Sequence, residues 1–281
     1  MTFQITINNN IQIANNRPMT IFCGLNVLES KDLSFEVAEK ISFECNKAGI
    51  SLVFKASFDK ANRSSLQSFR GPGINDGLRW LFDIKDKFQL TVMTDVHESG
   101  QVSACAEVVD ILQLPAFLSR QTDLVASLAK TRRVINIKKA QFLSPLEMKN
   151  IIDKFVQYGN DQIILCERGS CFGYQNLVVD MLGLGVMKEF GFPVILDVSH
   201  SLQLPGGNIN SSGGRREQIC EFSRAGVAVG LAGIFLEVHP NPDEALCDGR
   251  CALPLDKLGA FLDQVMKVDN LVKRLPPLEI K

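Results

Sequence analysis

Short apolar runs recur along the chain, and most of the gaps between them have the hydrophobic period of an amphipathic helix. The apolar runs cover residues 20–24, 52–54, 90–94, 109–114, 134–137, 163–166, 194–198 and 233–236. Helical patterns fill gaps such as 35–48, 77–88, 146–158 and 216–229. Buried parallel strands read as continuous apolar runs, and eight of them alternating with helices indicate a (β/α)8 TIM barrel. A doubly wound sheet is the alternative, but it rarely needs eight units.

Two further segments stand outside this alternation. Residues 3–13 alternate apolar and polar positions around an Asn-rich turn, which predicts an N-terminal hairpin within residues 1–15. We expect this hairpin to close the N-terminal mouth of the barrel. Residues 205–216 are rich in Gly and Ser and follow the seventh strand, which is typical of a mobile lid. Because no linker or composition break interrupts the chain, we predict one domain over residues 1–281.

Composition narrows the classes of function. The 281 residues carry a net charge of −1, which argues against a nucleic-acid partner. No apolar run approaches the roughly 20 residues of a membrane span, and residues 1–4 lack the start of a signal peptide. The eight scattered cysteines are typical of reduced thiols, so we expect a cytoplasmic protein. The pairs Cys166/Cys171 and Cys247/Cys251 lack the spacing of a zinc ribbon, so no metal is predicted there.

Polar, titratable residues follow every predicted strand. In strand order they are Asn26 with Glu29; Lys55; Asp95 and His97; Gln113 with Arg120; Lys138 and Lys139; Glu167 and Arg168; His200; and Glu237 and His239. Barrel enzymes work at the C-terminal ends of their strands, where these side chains would converge. All three histidines of the chain are among them. The pattern therefore predicts an active site at this end.

The loop of residues 55–65 has the composition of a phosphate site. Lys55, Lys60 and Arg63 bring three cations together, and Ser57, Asn62, Ser64 and Ser65 add neutral donors. A solvated basic loop is the alternative, although Phe58 and Phe69 favour an ordered one. Six cations in all lie near the strand ends: Lys55, Lys60, Arg63, Arg120, Lys138 and Arg168. They would match the roughly four to five negative charges of two phosphate groups and one carboxylate.

The same loop resembles the signature segment of the 3-deoxy-D-manno-octulosonate 8-phosphate synthases, and the resemblance extends from about Phe22 to Leu271. It implies a condensation of phosphoenolpyruvate with D-arabinose 5-phosphate and water. The products would be 3-deoxy-D-manno-octulosonate 8-phosphate, a precursor of Kdo in lipopolysaccharide, and inorganic phosphate. It also implies a homotetramer.

The resemblance assigns the cations to substrates. Lys138 and Arg168 look like the residues that hold the phosphate and carboxylate of phosphoenolpyruvate, with Lys55 and Gln113 as further contacts. Asn62, Arg63 and Ser64 resemble the segment that binds arabinose 5-phosphate. Arg120 resembles an arginine that members of this family extend across a subunit interface.

The family contains metal-dependent and metal-independent enzymes. The metal-dependent type binds its ion through a Cys, a His, a Glu and an Asp, and here His200, Glu237 and Asp248 match three of them. The fourth position is Asn26, whose amide is a weak, neutral ligand where a thiolate would be a strong one. Cys23 lies three residues upstream, and its side chain would have to point elsewhere. The resemblance thus predicts an enzyme without a metal or other cofactor.

Without a metal, hydrogen bonds must orient the pentose aldehyde, and we expect Asn26, His200 and Asp248 to supply them. His200, Asp95, Glu237 and Lys60 are the candidates for proton transfer. The sequence does not rank them, and Lys60 could instead be a pure phosphate ligand.

Two other functions compete with this prediction. The sister enzymes, 3-deoxy-D-arabino-heptulosonate 7-phosphate synthases, use erythrose 4-phosphate and have Lys-Pro-Arg-Thr where this chain has residues 60–65, Lys-Ala-Asn-Arg-Ser-Ser. The other alternative is a sugar-phosphate sensor, a barrel that binds but does not catalyse. The complete set of polar strand ends argues against a sensor.

Overall fold

The predicted (β/α)8 barrel is confirmed by the computed structural model, which describes residues 3–8, 11–206, 213–276 and 278. The strands are β1 (Ile5–Ile7), β2 (Ile11–Ile13), β3 (Thr20–Gly24), β4 (Ser51–Lys55), β5 (Thr91–Asp95), β6 (Ile111–Leu114), β7 (Val134–Lys138), β8 (Ile163–Glu167), β9 (Val194–Asp197), β10 (Gln203–Leu204), β11 (Gly213–Gly214), β12 (Gly233–His239) and β13 (Leu253–Pro254). Strands β3 to β9 pair in parallel in chain order, and β12 pairs with both β9 and β3. These eight strands therefore form a closed barrel.

In the described part of the chain, eight α-helices surround the barrel. They are α1 (Lys31–Ala48), α2 (Ile74–Phe88), α3 (Val102–Val108), α4 (Thr122–Lys130), α5 (Met148–Gln157), α6 (Met181–Glu189), α7 (Ile219–Val227) and α8 (Leu258–Val272). Helix α1 shows how the sequence sets their ends. The Ser30 hydroxyl accepts a hydrogen bond from the backbone N–H of Leu33 at 3.2 Å, and Gly49 ends the helix with φ at +68°.

The alternation of side chains along each strand divides the core into two parts. Outward-facing residues such as Ile21, Cys23 and Leu52 pack against the helices. Inward-facing residues such as Phe22 and Val53 fill the barrel interior. Cys23 therefore points away from the interior, as its position upstream of Asn26 required.

The predicted N-terminal hairpin is present, with β1 and β2 antiparallel and Ile5 opposite Ile13. Its four isoleucines, Ile5, Ile7, Ile11 and Ile13, are buried together with the apolar interior residues of the barrel. Those interior residues, for example Val134 and Ile111, lie at the N-terminal ends of their strands. The hairpin thus covers the N-terminal mouth, and the opposite mouth is left for the polar side chains.

Candidate active site

Side chains alternate along a strand, so every second residue of each barrel strand points into the interior. In β4 the interior apolar residue is Val53, and the next inward position is Lys55. The same step of two leads from Met93 to Asp95 in β5, from Ile111 to Gln113 in β6 and from Phe235 to Glu237 in β12. All four polar residues are at least 95% buried. The C-terminal half of the barrel interior is therefore polar, as the sequence predicted.

One group of charges joins the ends of β4 and β5. The ammonium of Lys55 donates to the Ser57 hydroxyl at 2.7 Å and lies 3.5 Å from Oδ1 of Asp95. The Ser57 hydroxyl in turn donates to Asp95, and Nε2 of His97 lies 3.0 Å from Oδ2 of the same carboxylate. The Asp95 carboxylate thus contacts the side-chain donors of Lys55, Ser57 and His97.

Burial and charge act in opposite directions on this group. Burial lowers the pKa of Lys55 to about 8, against the attraction of Asp95. Burial alone would raise the pKa of Asp95, but the cations of Lys55 and Lys60 hold it well below its usual value. For Lys60, burial is outweighed by the carboxylates of Asp95 and Glu237, which raise its pKa. Lys60 therefore stays a cation at neutral pH beside a charged Asp95.

A second group connects β7, β9 and β12. Lys138 donates a hydrogen bond to Oδ2 of Asp197, and its ammonium lies 3.9 Å from the centre of the Phe235 ring. The same Asp197 oxygen lies 2.7 Å from Nδ1 of His200, and the backbone N–H of His200 donates to Oδ1 of Asp197 at 2.8 Å. Asp197 is wholly buried, yet His200 and Lys138 lower its pKa against the effect of burial.

Three of the four positions that correspond to metal ligands in the metal-dependent type surround Asn26. Its Nδ2 donates to Oε2 of Glu237 at 2.5 Å and to Oδ2 of Asp248 at 3.1 Å, and lies 3.4 Å from Nε2 of His200. An amide N–H₂ group is a donor and carries no lone pair for a cation. Since this group points at both carboxylates, the residues present do not fit a metal ion held between them.

Arg168 follows β8 and lies at the base of the predicted lid. It is 5% exposed, and its Nη2 donates to Oε1 of Gln203 at 2.7 Å. Its Nη1 is buried and has no hydrogen-bond partner among the described residues. A buried guanidinium with a free donor is suited to an anion. The antiparallel strands β10 and β11 lie on either side of residues 207–212 of the predicted lid, and residues 207–212 are outside the described part of the chain.

Gln113 is oriented by a residue that the sequence analysis did not single out. The amide of Asn136 donates to Oε1 of Gln113 at 3.0 Å, and both side chains are buried. With its oxygen engaged in this way, Gln113 is left with its two N–H groups as donors. Donors at this position suit the predicted contact with the anion phosphoenolpyruvate.

The predicted pentose-phosphate segment lies at the rim of the mouth. Arg63 is half-buried and donates to the thiol of Cys247, next to Asp248. Asn62 and Ser64 are exposed. Lys60, in contrast, is buried, and its backbone N–H donates to the carbonyl of Arg70 at 2.7 Å. The loop is thus fixed at Lys60 and open at Asn62 and Ser64.

Arg120 is separate from the other predicted site residues. Its side chain is exposed and lines a surface cavity of about 220 Å³ together with Glu147, Asn150 and Lys154. Lys154 donates to the carbonyl of Arg120 at 3.2 Å and to the hydroxyl of Thr122 at 2.7 Å. Within one chain, Arg120 therefore lies on the outer face near α5 rather than in the barrel mouth.

Several polar strand ends have structural roles instead. Lys139 donates to the carbonyls of Ala140 and Leu143 and to the hydroxyl of Ser170, at 3.0–3.2 Å. Oε1 of Glu167 accepts the backbone N–H groups of Arg168 and Gly169, at 2.8 and 2.6 Å.

The remaining histidine, His239, does not join the cluster around His200. Its Nε2 lies 3.6 Å from Oε1 of Glu29, which also accepts the backbone N–H of Leu246 at 3.0 Å. These contacts tie the loop that carries Asp248 to the end of β3.

Asp197 is the functional candidate that the sequence analysis missed, because it lies inside the apolar run 194–198. The parity of β9 would have identified it, since Ile195 faces the barrel interior and Asp197 is the next inward position. A charged residue at an inward position of a buried strand is costly unless it is paired. Here it is paired with both Lys138 and His200.

The chain is similar in sequence to known proteins over nearly its whole length. A profile of the DAHP synthetase I family matches residues 2–274. The chain is 62% identical over 269 residues to the 2-dehydro-3-deoxyphosphooctonate aldolase of Marinobacter nauticus, and 61% identical to that of Azotobacter vinelandii, with 96% of each chain covered. The protein of the same name from Pseudomonas entomophila is 60% identical over 279 residues, or 99% of both chains. Within the described residues, no helix is both long and apolar enough to cross a membrane.

Proposed function

The chain belongs to the DAHP synthetase I family, and within that family we propose that it condenses phosphoenolpyruvate with D-arabinose 5-phosphate and water. The products are 3-deoxy-D-manno-octulosonate 8-phosphate and inorganic phosphate, so the enzyme is a carbon–carbon bond-forming transferase of Kdo biosynthesis. Relatives about 60% identical over nearly the whole chain carry the name 2-dehydro-3-deoxyphosphooctonate aldolase.

One structural observation carries the proposal. A continuous network of buried polar side chains runs across the barrel mouth from Lys138 through Asp197 and His200 to Asn26 and Glu237. Cations lie at one end of it and a carboxylate pair, Glu237 and Asp248, at the other. A binding protein for one anion needs only the cations. Two reactants explain both ends. The phosphoenolpyruvate anion fits the cations, and the hydroxyl and aldehyde groups of the pentose fit the end with the carboxylates.

Lys55, Lys138 and Arg168 bind the phosphoenolpyruvate anion in this proposal, with Gln113 as a neutral donor. Lys138 and Arg168 are each fixed by one side-chain acceptor, Asp197 and Gln203, so their charges are oriented before the substrate enters. Electrostatic groups that need no reorganisation stabilise developing charge more effectively than mobile ones. The Nη1 atom of Arg168 has no hydrogen-bond partner among the described residues, which leaves it available to the carboxylate of phosphoenolpyruvate.

The pentose aldehyde lies at the other end, near Asn26, His200 and Asp248, and its phosphate lies toward Asn62, Arg63 and Ser64. The methylene carbon of phosphoenolpyruvate forms a bond to the aldehyde carbon, whose oxygen takes up a proton. Water adds to C2 of phosphoenolpyruvate, the carbon that carries the phosphate ester, and loses a proton. The resulting hemiketal loses phosphate by cleavage of its carbon–oxygen bond.

The proton donor and acceptor come from His200, Asp95, Glu237 and Lys60. Asp95 has a lowered pKa and Lys60 a raised one, so at neutral pH Asp95 is an anion and Lys60 carries a proton. Asp95 is held by Lys55 and His97, whereas Lys60 forms no ion pair within 4 Å among the described residues. The ammonium of Lys60 is therefore the candidate donor to the forming alkoxide.

We assign the enzyme to the metal-independent type, with no cofactor. The amide of Asn26 supports this, since it directs its N–H groups toward Glu237 and Asp248. The Oδ1 atom of Asn26, which has no partner among the described residues, then orients the aldehyde and its neighbouring hydroxyl together with His200 and Asp248.

The proposed assembly is a homotetramer in the cytoplasm. Exposed apolar side chains lie on the loops after β7 and β8, which are joined by a backbone hydrogen bond from Cys171 to Gln141, and at the start of α6. They are Phe142, Leu146, Phe172, Tyr174 and Leu182, each at least 57% exposed. A patch of this kind marks an interface between proteins. An approach by a second chain on this side also brings a partner near Arg120. The cytoplasmic location is supported by the eight cysteines, all free thiols in the part of the chain that the structure describes.

The direct test is phosphate release from phosphoenolpyruvate, with the second product identified by mass spectrometry. The proposal predicts release only when arabinose 5-phosphate is present, together with an equal amount of the eight-carbon sugar acid phosphate. A sensor would bind phosphoenolpyruvate and release no phosphate. Release with erythrose 4-phosphate alone would place the chain with the sister enzymes.

A further inference from the structure

Asp197 is a wholly buried carboxylate with three donors around it. Its Oδ1 accepts the backbone N–H of His200, and its Oδ2 faces both Nδ1 of His200 and the ammonium of Lys138. The two side chains that meet at Oδ2 come from different strand ends and are assigned to different substrates. A single oxygen atom therefore links the phosphoenolpyruvate end of the mouth to the pentose end.

We propose that Asp197 is a positioning residue, which holds His200 with its hydrogen on Nδ1 and at the same time fixes the ammonium of Lys138. Its effect on turnover rests on the proposed function. Its effect on His200 does not, because that follows from contacts within the chain.

The assignment of the hydrogen follows from the partners of each ring nitrogen. A carboxylate oxygen with a lowered pKa only accepts, so Nδ1, 2.7 Å from Oδ2 of Asp197, must donate. The ammonium of Lys138 also lies near Nδ1, at 3.4 Å, but it has no lone pair and cannot accept a hydrogen bond from the ring. The hydrogen on Nδ1 therefore belongs to the His200–Asp197 bond.

Nε2 is then the atom that His200 presents to the mouth. It lies 3.4 Å from Nδ2 of Asn26, a donor, and 3.3 Å from Oε1 of Glu237, an acceptor. A ring held by its Nδ1–H bond can accept or donate at Nε2 without rotating. The same logic makes the buried aspartate of a serine protease an orienting group for its histidine.

Lys138 is held by the same carboxylate from the other side. The Phe235 ring lies 3.9 Å from its ammonium, so the cation is fixed between an aromatic face and a carboxylate. Removal of the negative charge of Asp197 would leave Lys138 buried beside a neutral group. We therefore expect loss of Asp197 to affect both ends of the site.

The first experiment needs no substrate and no variant at Asp197. Long-range ¹H–¹⁵N correlation spectra of the ¹⁵N-histidine-labelled full-length protein report the hydrogen position in each of the three rings, and the spectrum of His200→Gln assigns the His200 signals. The proposal predicts a hydrogen on Nδ1 of His200. A neutral ring with its hydrogen on Nε2 and a bare Nδ1 would overturn it.

The second experiment uses Asp197→Asn, which keeps the shape but can donate as well as accept. We expect a kcat at least about 100-fold lower, with a smaller change in KM for arabinose 5-phosphate, and a shift of the His200 hydrogen toward Nε2. The matched control is Asp110→Asn, which alters a buried carboxylate at the opposite end of the barrel that accepts from Val92 and Lys85. The control should lower the melting temperature but leave kcat within about twofold.

A folded Asp197→Asn enzyme with the native His200 spectrum and wild-type kcat would contradict the proposal. If this variant does not fold, the wild-type spectrum alone decides the tautomer. The two failures are distinguishable, since an inactive wild-type enzyme with Nδ1–H on His200 sinks only the proposed function.

Discussion

The Nδ2 atom of Asn26 lies 2.5 Å from a carboxylate oxygen of Glu237 and 3.1 Å from one of Asp248. A neutral donor thus lies between the buried carboxylate of Glu237 and the half-buried carboxylate of Asp248, which would otherwise repel each other. Asp248 adopts a left-handed backbone conformation, with φ at +50°, and its carboxylate accepts a hydrogen bond from this amide. The hydrogen bonds of Asn26 therefore explain how the two carboxylates lie together without a cation. One substitution at Asn26 can change this arrangement.

Replacement of Asn26 by Cys should create a metal site. A thiolate beside His200, Glu237 and Asp248 completes a ligand set suited to divalent transition metals. We expect about one metal ion per chain after dialysis against manganese or zinc, as measured by elemental analysis. Asn26→Ala is the control, because it removes the amide without adding a ligand. Equal metal content in the two variants would contradict this account, as would loss of wild-type turnover in EDTA.

The lowered pKa of Lys55 predicts a pH dependence of phosphoenolpyruvate binding. Burial lowers this pKa to about 8, so the free enzyme loses the Lys55 charge as the pH rises through that value. The anion binds the protonated lysine, and its dissociation constant should therefore rise above pH 8, by up to about tenfold per pH unit. Calorimetric titrations between pH 6.5 and 9.5 would measure it.

The variant Lys55→Met tests whether Lys55 causes this pH dependence. It should bind phosphoenolpyruvate more weakly at pH 7 and lose the decline that sets in near pH 8. A wild-type decline that persists unchanged in Lys55→Met would assign the titration to another group.

The N-terminal hairpin should stabilise the barrel without taking part in catalysis. Ile13 is wholly buried against the barrel interior, whereas its neighbour Gln12 is exposed. We expect Ile13→Ala to cost about 2–5 kcal/mol and to lower the melting temperature by about 4 °C or more. Gln12→Ala should leave the melting temperature unchanged. Because the hairpin lies at the end opposite the active site, kcat should be unchanged in both, and a loss of kcat in folded Ile13→Ala would count against this arrangement.

Two glycines of α6 should respond to alanine in opposite ways. A Cβ at Gly185 meets nothing within 4 Å, and Gly185→Ala should stabilise the protein by about 0.5–1 kcal/mol through helix propensity. A Cβ at Gly183 would lie 2.5 Å from Cγ of Pro145, so Gly183→Ala should destabilise it. Thermal melting of the pair tests the packing of α6 on the loop after β7. Equal shifts in both variants would show that this contact is not formed.

The sequence predicted the barrel and the polar mouth because both follow from local patterns. Each of four polar residues lies two positions after an apolar interior residue of the same strand and so faces the interior: Lys55, Asp95, Gln113 and Glu237. The same alternation separates Lys138 from its neighbour Lys139, which holds backbone carbonyls instead.

The pairings across the barrel could not be predicted from the sequence. Asp197 is 59 residues from Lys138, and Asn26 is 211 residues from Glu237. Which strand ends meet depends on barrel closure and on side-chain direction rather than on local sequence. The placement of Arg120 on the outer face likewise depends on the course of the loop before α4, and its predicted role needs a second chain.

The most direct test of the central claim is a competition between arabinose 5-phosphate and erythrose 4-phosphate for limiting phosphoenolpyruvate, with the two sugar acid phosphates separated by mass. The account predicts that kcat/KM favours arabinose 5-phosphate by at least about 100-fold, because a site built for the hydroxyls of the longer sugar leaves its polar groups unpaired with the shorter one. Predominant formation of the seven-carbon product, or phosphate release that needs neither sugar, would contradict it.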